Sequence, residues 1–193
     1  MAILNRGGEP DAAELSQLTG HYTIDQAHSR IGFSVRHAVV SSVRGEFTEY
    51  DGRLYLDGSQ PANSTAEVVI EVASIDTKQA QRDQHLRNGD FFAADTYPRI
   101  TFRSTGAEPA GGGSYRLPGE LTVKDTTRPV TLDLAFLGTT TDADGVRRVG
   151  FEGGTTIDRS DWGLTYNAAL ETGGVLIAEK VKITLNVSAR KTG

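Results

Sequence analysis

The chain of 193 residues contains no cysteine, and none of its apolar runs is long. Without cysteine there is no disulfide scaffold, thiol catalysis, iron–sulfur cluster or cysteine-based zinc site. No apolar run approaches the roughly 18 residues of a membrane span, so no transmembrane segment is predicted. The 20 basic residues are outnumbered by 25 acidic ones, giving a net charge of −5. An acidic surface repels phosphate backbones, and we therefore expect no nucleic-acid partner.

The N-terminus also lacks the apolar stretch of about 7–15 residues that an export signal needs. Its first apolar run ends before Asn5, which predicts a cytoplasmic protein. Residues 1–19 are predicted to form an N-terminal arm, with a short helix after Pro10 that either docks or stays loose. Such a short helix is marginally stable by itself. Residues 20–193 are predicted to form one domain.

Common catalytic motifs are missing too: there is no nucleophile elbow, phosphate-binding loop, dinucleotide fingerprint or zinc-protease helix motif. The four histidines have no metal-ligand spacing, so no metal site is predicted. Asp25, His28 and Ser29 could form a base and a nucleophile, but adjacent strand residues point to opposite faces. We favour a hydrogen-bonded start of a strand there. Likewise, 158–161 is interpreted as a hydrogen-bonded loop rather than an acid–base pair.

Apolar and polar residues alternate with a period of two along most of the chain. The pattern is clear around Ile31, Phe33 and Val35, and it recurs at 67–72, 99–103, 130–136 and 180–187. Alternation indicates strands with one dry and one wet face, as in antiparallel sheets. About eight such strands close most simply into a barrel, which removes the sheet edges. The pattern alone leaves a two-sheet sandwich as the alternative.

One segment departs from this alternation and predicts a single inserted helix. The helix is expected over 78–87 and ends at Asn88-Gly89. Phe91 and Phe92 follow it, and together they suggest a lid or plug at a barrel mouth. Turns are predicted at the Asp-Gly pairs 51–52, 57–58 and 144–145, and a surface loop at 110–114. Trp162 is expected to be either a core residue or a ligand wall.

Several spaced motifs resemble the YceI-like family. They occur in this order: Asp25-x-x-His28-Ser29-x-Ile31-x-Phe33-x-x-x-His37, Gly45-x-Phe47, the run from Arg82 to Phe92, Tyr97-Pro98-x-Ile100-Thr101-Phe102, Gly119-x-Leu121-Thr122-Val123, Arg128-Pro129-Val130 and Asp158-Arg159-x-x-Trp162-Gly163. The resemblance extends from about Gly20 to Ala189. It implies an all-β, extended lipocalin-like antiparallel barrel that binds a long isoprenoid or similar amphiphile. It also implies a homodimer.

A ligand site follows from combining the alternation with this resemblance. The inward positions expected to line a tail pocket are Phe33, Val35, Phe47, Val68, Ile70, Phe102, Leu132, Leu134, Phe136, Ile183 and Leu185. Phe91 and Phe92 would close one end, and His37 and His85 would face the head group. If that head were a pyrophosphate, the cations to consider are Arg36, Lys78, Arg82 and Arg87.

The predicted function is therefore that of a soluble binding protein with no catalytic residues and no cofactor. Its ligand would be a polyprenyl chain, an isoprenoid quinone or a similar long-chain amphiphile, held for transport, storage or sensing. Two alternatives stay open at this point. The barrel could be filled by its own side chains and act as an interaction module. It could also be an enzyme on a lipid or quinone, with His28, His37 and His85 as the available bases.

Overall fold

The computed structural model describes residues 10–193, which form twelve strands and two short α-helices. The helices are α1 (Ala12–Ser16) and α2 (Ala80–Arg87). The strands are β1 (Gly20–Ile24), β2 (Arg30–His37), β3 (Ser41–Phe47), β4 (Tyr50–Leu56), β5 (Thr65–Glu71), β6 (Ile75–Asp76), β7 (Arg99–Ser104), β8 (Glu108–Gly111), β9 (Ser114–Val123), β10 (Thr126–Thr141), β11 (Arg147–Asp158) and β12 (Ile177–Lys191).

Eight of the strands close into an antiparallel barrel in the order β1-β4-β5-β7-β9-β10-β11-β12. The ring closes where β1 pairs with β12, from Tyr22 opposite Lys191 to Ile24 opposite Ala189. The predicted antiparallel barrel of about eight strands is therefore confirmed. The alternative of a two-sheet sandwich is wrong, because the pairing of the first and last strands leaves no gap between two sheets.

Strand β12 is long enough to have two different partners on the same side. Its first part pairs with β2, from Ile177 opposite His37 to Asn186 opposite Arg30, and its last residues pair with β1. The strands β3 and β6 continue the sheet outward from β2. The barrel wall is thus completed by β1 at one end and by the β2–β3–β6 extension at the other.

The changeover between the two partners of β12 lies at Ser188. The hydroxyl of Ser29 donates to the Ser188 carbonyl at 3.1 Å and accepts from the Ser188 amide at 2.9 Å. The backbone amide of Asp25 donates to the same carbonyl at 2.8 Å. These bonds replace the ladder on the edge of β12 that faces β1 and β2, whereas its other edge pairs with β11 at Gly150. The Asp25–Ser29 motif therefore has the structural role predicted for the start of a strand.

Segment 10–19 docks at one end of the barrel, hereafter the α1 end. The Tyr22 hydroxyl donates to the Leu18 carbonyl at 2.7 Å, and Arg147 donates to the Gln17 carbonyl at 2.6 Å. Leu15 packs against the smaller of two apolar clusters, whose members are Leu18, Tyr22, Leu54, Ala66, Val149 and Ala189. The first nine residues of the predicted arm lie outside the described residues.

Trp162 belongs to the larger apolar cluster, which forms the main core of the barrel wall. Its side chain is buried, and its indole N–H donates to the Leu121 carbonyl at 3.0 Å. A buried indole satisfied by a backbone carbonyl is a stable core arrangement. Of the two interpretations offered for this tryptophan, the structure supports the core residue.

One of the three predicted turns is wrong, whereas 57–58 does lie in the connection between β4 and β5. Asp51-Gly52 lies inside β4, and a Cβ on Gly52 would come within 2.2 Å of Ile24. Gly52 is thus needed for close packing rather than for a turn. The predicted loop 110–114 is a tight hairpin between β8 and β9, with Gly112 and Gly113 in left-handed conformations. The predicted turn at 144–145 does connect β10 to β11.

Helix α2 begins two residues later than predicted. Lys78 has a φ of 63°, which is incompatible with a right-handed helix, and Gln79 is extended. At its other end the chain leaves the helix through Asn88 in an extended conformation rather than a left-handed one. Neither α1 nor α2, the two α-helices within residues 10–193, is long and apolar enough to cross a membrane.

Candidate ligand-binding cavity

A cavity of about 510 Å³ runs through the barrel between its two ends. Pockets that bind small molecules commonly have volumes of about 300–1,000 Å³. The wall is almost entirely aliphatic and aromatic. Leu15 and Leu18 lie at the α1 end, and Leu86 of α2 lies at the other end, hereafter the α2 end. The interior is thus shaped for an apolar molecule rather than for water.

All fifteen residues predicted from the sequence as ligand contacts line this cavity. Because side chains of a strand alternate between its two faces, one correctly assigned residue places its neighbours at two-residue intervals on the same face. The residues are Phe33, Val35, His37, Phe47, Val68, Ile70, His85, Phe91, Phe92, Phe102, Leu132, Leu134, Phe136, Ile183 and Leu185. Their contact with a ligand stays a prediction.

Many inward-facing side chains keep accessible surface, although they point into the barrel. Phe33, Val35, Ile183 and Leu185 are only partly buried, whereas Val72, which belongs to the core outside the cavity, is almost completely buried. Side chains of a filled core would touch one another and lose this surface. The partial exposure therefore indicates an unfilled interior.

The α2 end is covered by the helix and by the aromatic residues that follow it. The Phe92 ring makes an edge contact with Phe47 at a centroid distance of 6.1 Å. The His85 ring lies edge-on to Phe91 at 5.1 Å and to Tyr166 at 5.0 Å. These contacts join α2 to strand β3 and to the loop 163–176, so the aromatic residues lie across this end of the cavity.

Helix α2 is held in place by a buried carboxylate. Asp83 accepts from the Thr77 amide at 2.8 Å and from the Thr77 hydroxyl at 2.5 Å. The same hydroxyl accepts from Arg82 at 2.7 Å. Arg82 is half-buried and lines the cavity. The network fixes the helix start and directs one cation toward the interior.

Of the four cations predicted for a charged head group, two reach the cavity. Arg36 and Arg82 line it, whereas Lys78 and Arg87 do not. Lys78 pairs with Asp76 at 2.6 Å, and the hydrogen bond from this lysine is the main cause that lowers the pKa of Asp76. Arg87 donates to backbone carbonyls of the β5–β6 connection. The side chains of Lys78 and Arg87 therefore have a structural role.

Arg159 is a cavity-lining cation that the sequence reasoning missed. It is only 6% exposed, and it donates to the carbonyls of Leu164 at 2.6 Å, Tyr166 at 2.9 Å and Ala178 at 3.0 Å. Burial lowers the pKa of its guanidinium, which nevertheless stays protonated near neutral pH. No carboxylate of residues 10–193 forms an ion pair with it. The signal in the sequence that could have identified it is its position in the motif Asp158-Arg159-x-x-Trp162-Gly163.

Charge is distributed unevenly along the cavity. The charged lining residues at the α2 end are the cations Arg36, Arg82 and Arg159, with His37 and His85 beside them. The one carboxylate of the described lining, Asp57, lies at the α1 end. There it accepts hydrogen bonds from the loop after β4, which lower its pKa. Positive charge is therefore concentrated at the α2 end of the cavity.

Asp25 and His28 lie outside the cavity, away from the other two candidate bases. His28 is exposed and bonds to Asp25 at 2.9 Å, and Arg148 also bonds to this carboxylate. Chiefly the Arg148 hydrogen bond lowers the pKa of Asp25 to about 2. His37 and His85 instead line the α2 end. The three histidines therefore do not converge on one site, and no cluster suited to hold a metal ion forms within residues 10–193.

Comparisons with known proteins agree with this architecture. A family profile described as the YceI-like domain matches residues 22–189. A UPF0312 protein of Staphylococcus aureus (strain N315) is 36% identical over 163 residues, which cover 84% of this chain and 92% of that protein. The crystal structure of Burkholderia cenocepacia BcnA superposes with a TM-score of 0.74 at 25% identity, covering 86% of this chain and 98% of BcnA.

Two further solved structures share the fold. The Campylobacter jejuni YCEI protein has a TM-score of 0.70 at 28% identity, with 88% of this chain and 96% of that chain covered. A domain from Saccharophagus degradans, described as polyisoprenoid binding, has a TM-score of 0.66 at 15% identity. The latter comparison covers 89% of this chain and 98% of that domain. At this identity it shows a common fold.

Proposed function

The chain belongs to the YceI-like family, and from that premise we propose that it binds an isoprenoid, such as a polyprenyl chain or an isoprenoid quinone, or a similar long-chain amphiphile in its barrel. The observation that carries the proposal is the apolar cavity of about 510 Å³. The polyisoprenoid-binding description of a protein with the same fold supports the ligand class. We further propose a role in transport, storage or sensing of that ligand.

Such a ligand can be bound almost without polar contacts. Each CH₂ group removed from water contributes about 0.8 kcal/mol, so one isoprene unit contributes roughly 4 kcal/mol. Ordering the flexible chain and restricting its motion offset part of this gain. A few units inside the cavity are still sufficient for tight binding. This accounts for a wall with few polar groups.

The head group would lie at the α2 end, with the tail directed toward α1. Arg36 and Arg82 line this end with unequal exposure, since Arg36 is exposed and Arg82 half-buried. Arg159 adds a buried positive charge without an ion-pair partner among residues 10–193. A carbonyl, carboxylate or phosphate head is compatible with these donors. Asp57 at the α1 end disfavours the reverse orientation for an anionic amphiphile.

The two alternatives to a binding protein, a filled barrel and an enzyme, predict different properties of the barrel interior. A filled barrel would leave no interior volume, and the cavity argues against it. An enzyme on a lipid or quinone would need convergent catalytic groups, whereas His28 is exposed and lies apart from His37 and His85. We therefore favour binding without turnover. The cytoplasmic location and the homodimer expected from the sequence stay predictions.

Native mass spectrometry of gently purified protein tests the proposal. The expected result is a mass excess over the 20.7 kDa chain, which organic extraction releases as a polyprenyl chain, a quinone or another long-chain amphiphile. Protein that emerges without ligand is then incubated with detergent-solubilised prenols of increasing chain length. Absence of both a co-purified amphiphile and prenol uptake would contradict the proposal, and chemical change of the bound molecule would favour the enzyme.

A further inference from the structure

Four large apolar side chains are exposed at the α2 end of the barrel. They are Val39, Val40, Tyr166 and Val175, hereafter the apolar rim. Val39 is 75% exposed, Val40 87% and Val175 53%. One further large apolar side chain of residues 10–193 is exposed, Leu137, which belongs to β10 near the α1 end. Single exposed apolar residues are common, but a local cluster marks a contact surface.

Two neighbouring loops bring the rim residues together. Val39 and Val40 lie in the turn between β2 and β3, whereas Tyr166 and Val175 belong to the loop 163–176 before β12. The amide of Ala38 donates to the Leu176 carbonyl at 2.8 Å and so joins the two loops. The two loops that carry the rim residues are therefore hydrogen-bonded neighbours at the same end of the barrel.

The backbone of the β2–β3 turn is unfavourable for the residue it carries. Val39 has a φ of 65°, in the left-handed region that glycine and asparagine adopt readily. A β-branched residue is disfavoured there, and an exposed valine gains nothing from burial to compensate. Unfavourable conformations of this kind accumulate at functional sites. The exposed valine is thus better explained by a contact that the isolated molecule does not make.

The rim adjoins the cavity. Tyr166 lines the cavity itself, as do His37 just before the turn and Leu176 just after Val175. An apolar chain that moves between the cavity and another apolar environment at this end crosses the rim. Contact with water during that passage is unfavourable in proportion to the apolar area exposed.

A second copy of the chain is a poor occupant for this surface. A fully exposed valine side chain offers on the order of 100 Å² of apolar area. Two symmetry-related rims would therefore bury only about 500–700 Å², well below the roughly 1,200 Å² of a stable interface. A bilayer has no such threshold, because a few inserted apolar side chains give weak and reversible binding.

We propose that the apolar rim docks on a phospholipid bilayer and that the cavity exchanges its amphiphile with the bilayer there. The docking stands on the rim alone, whereas the exchange rests on the proposed function. The charges that flank the rim are mixed. Arg36 and Arg44 belong to the β2–β3 hairpin, whereas Glu171 and Glu179 belong to the loop 163–176 and to the start of β12. Docking therefore depends on apolar insertion and changes little with salt.

Fluorescence quenching by brominated phospholipids tests the docking. Val40→Trp places a reporter on the rim, and Leu137→Trp places the matched reporter near the α1 end. Trp162, the one natural tryptophan, is buried and gives the same background in both variants. We expect brominated vesicles to quench the Val40→Trp emission and to leave Leu137→Trp at the level of the parent. Equal quenching in both, or none in Val40→Trp, would overturn the proposal.

A second variant removes the apolar rim without stressing the fold. In Val39→Asn/Val40→Ser, asparagine suits the left-handed backbone, so the variant should fold at least as well as the parent. We expect its partition onto phosphatidylcholine vesicles to fall about 100-fold, at about tenfold for each valine. Leu137→Ser should partition like the parent. A rim variant that partitions like the parent, or a rim that mediates self-association in sedimentation without vesicles, would refute bilayer docking.

Ligand uptake from detergent separates this proposal from the proposed function. The rim variant should take up solubilised prenol as well as the parent does, but it should acquire prenol from vesicles more slowly. If the parent docks on vesicles and never takes up prenol, docking holds and the proposed function fails. If both proteins acquire prenol from vesicles at the same rate, the rim has no role in exchange and the further inference fails.

Discussion

Replacing Val68 by tryptophan should reduce the length of chain that the cavity accepts. Val68 lies in β5 and lines the cavity, opposite Phe102 of the neighbouring strand. Val69 is the next residue of the same strand, is equally half-buried, and does not line the cavity. The substitutions Val68→Trp and Val69→Trp therefore make the same chemical change on opposite faces of the wall.

The expected loss of affinity follows from the volume that the indole ring of Val68→Trp occupies in the cavity. It occupies the room of about one isoprene unit, whose burial is worth up to about 4 kcal/mol. A ligand that fills the cavity should therefore bind Val68→Trp between tenfold and about a thousandfold more weakly, depending on how far its tail can shift. A prenol short enough to leave this space empty should bind both variants like the parent. Because the added ring enters a void, the stability should change by less than about 1.5 kcal/mol.

Displacement of a fluorescent polyprenyl analogue by prenols of increasing chain length provides the assay. Affinity for the parent and for Val69→Trp should rise with chain length, whereas for Val68→Trp it should stop rising earlier. Thermal unfolding of all three proteins verifies that the fold is kept. Identical chain-length profiles for the two tryptophan variants would refute the assignment of the barrel interior as the tail site.

Three further predictions concern the scaffold. Asp25→Asn should lower the free energy of unfolding by about 1–2 kcal/mol at pH 7, allowing for partial solvent screening. Contacts of the folded protein, chiefly the hydrogen bond from Arg148, lower the pKa of Asp25 from 3.8 to about 2, so the difference in urea unfolding between variant and parent should shrink as the pH falls from 4 to 2; a difference that stays constant would contradict this prediction. Gly58→Ala would place a Cβ 1.5 Å from the Leu15 carbonyl oxygen; it should displace α1 and increase proteolysis there, and unchanged cleavage would argue against docking. Arg159→Lys keeps the charge but loses several carbonyl bonds, at about 1 kcal/mol each; hydrogen exchange in 163–178 should accelerate, and parental protection would be inconsistent with an anchoring role.

The barrel and the lining of its cavity could be predicted because period-two alternation is a local property of the sequence. Ile183 and Leu185 share a face whatever their surroundings, so the inward set followed once β12 was assigned as a strand. Alternation alone leaves a two-sheet sandwich as an alternative, and the resemblance of several motifs to the YceI-like family implies the barrel. Closure into a barrel is favoured in addition because it removes the sheet edges.

Features that depend on specific contacts in the folded chain, rather than on a repeating local pattern, could not be predicted. Gly52 resembles a turn residue, and only the position of Ile24 above it gives the packing reason. Arg159 is buried against backbone carbonyls, which every residue carries and which leave no mark in the sequence. The start of α2 was misplaced because the network between Thr77 and Asp83 determines the backbone there.

The short β1–β12 pairing that closes the ring has a consequence for folding kinetics. Only three residue pairs form it, and Tyr22 and Lys191 lie at nearly opposite ends of the sequence. The pairing of β2 with β12 joins equally distant parts of the chain, whereas the remaining wall strands are connected through hairpins or moderate loops, which close with a smaller entropy loss. Contacts between such distant residues slow folding, so we expect ring closure to follow the formation of the hairpins. Before closure the interior has no continuous wall, and the enclosed cavity therefore forms in the last step of folding rather than gradually.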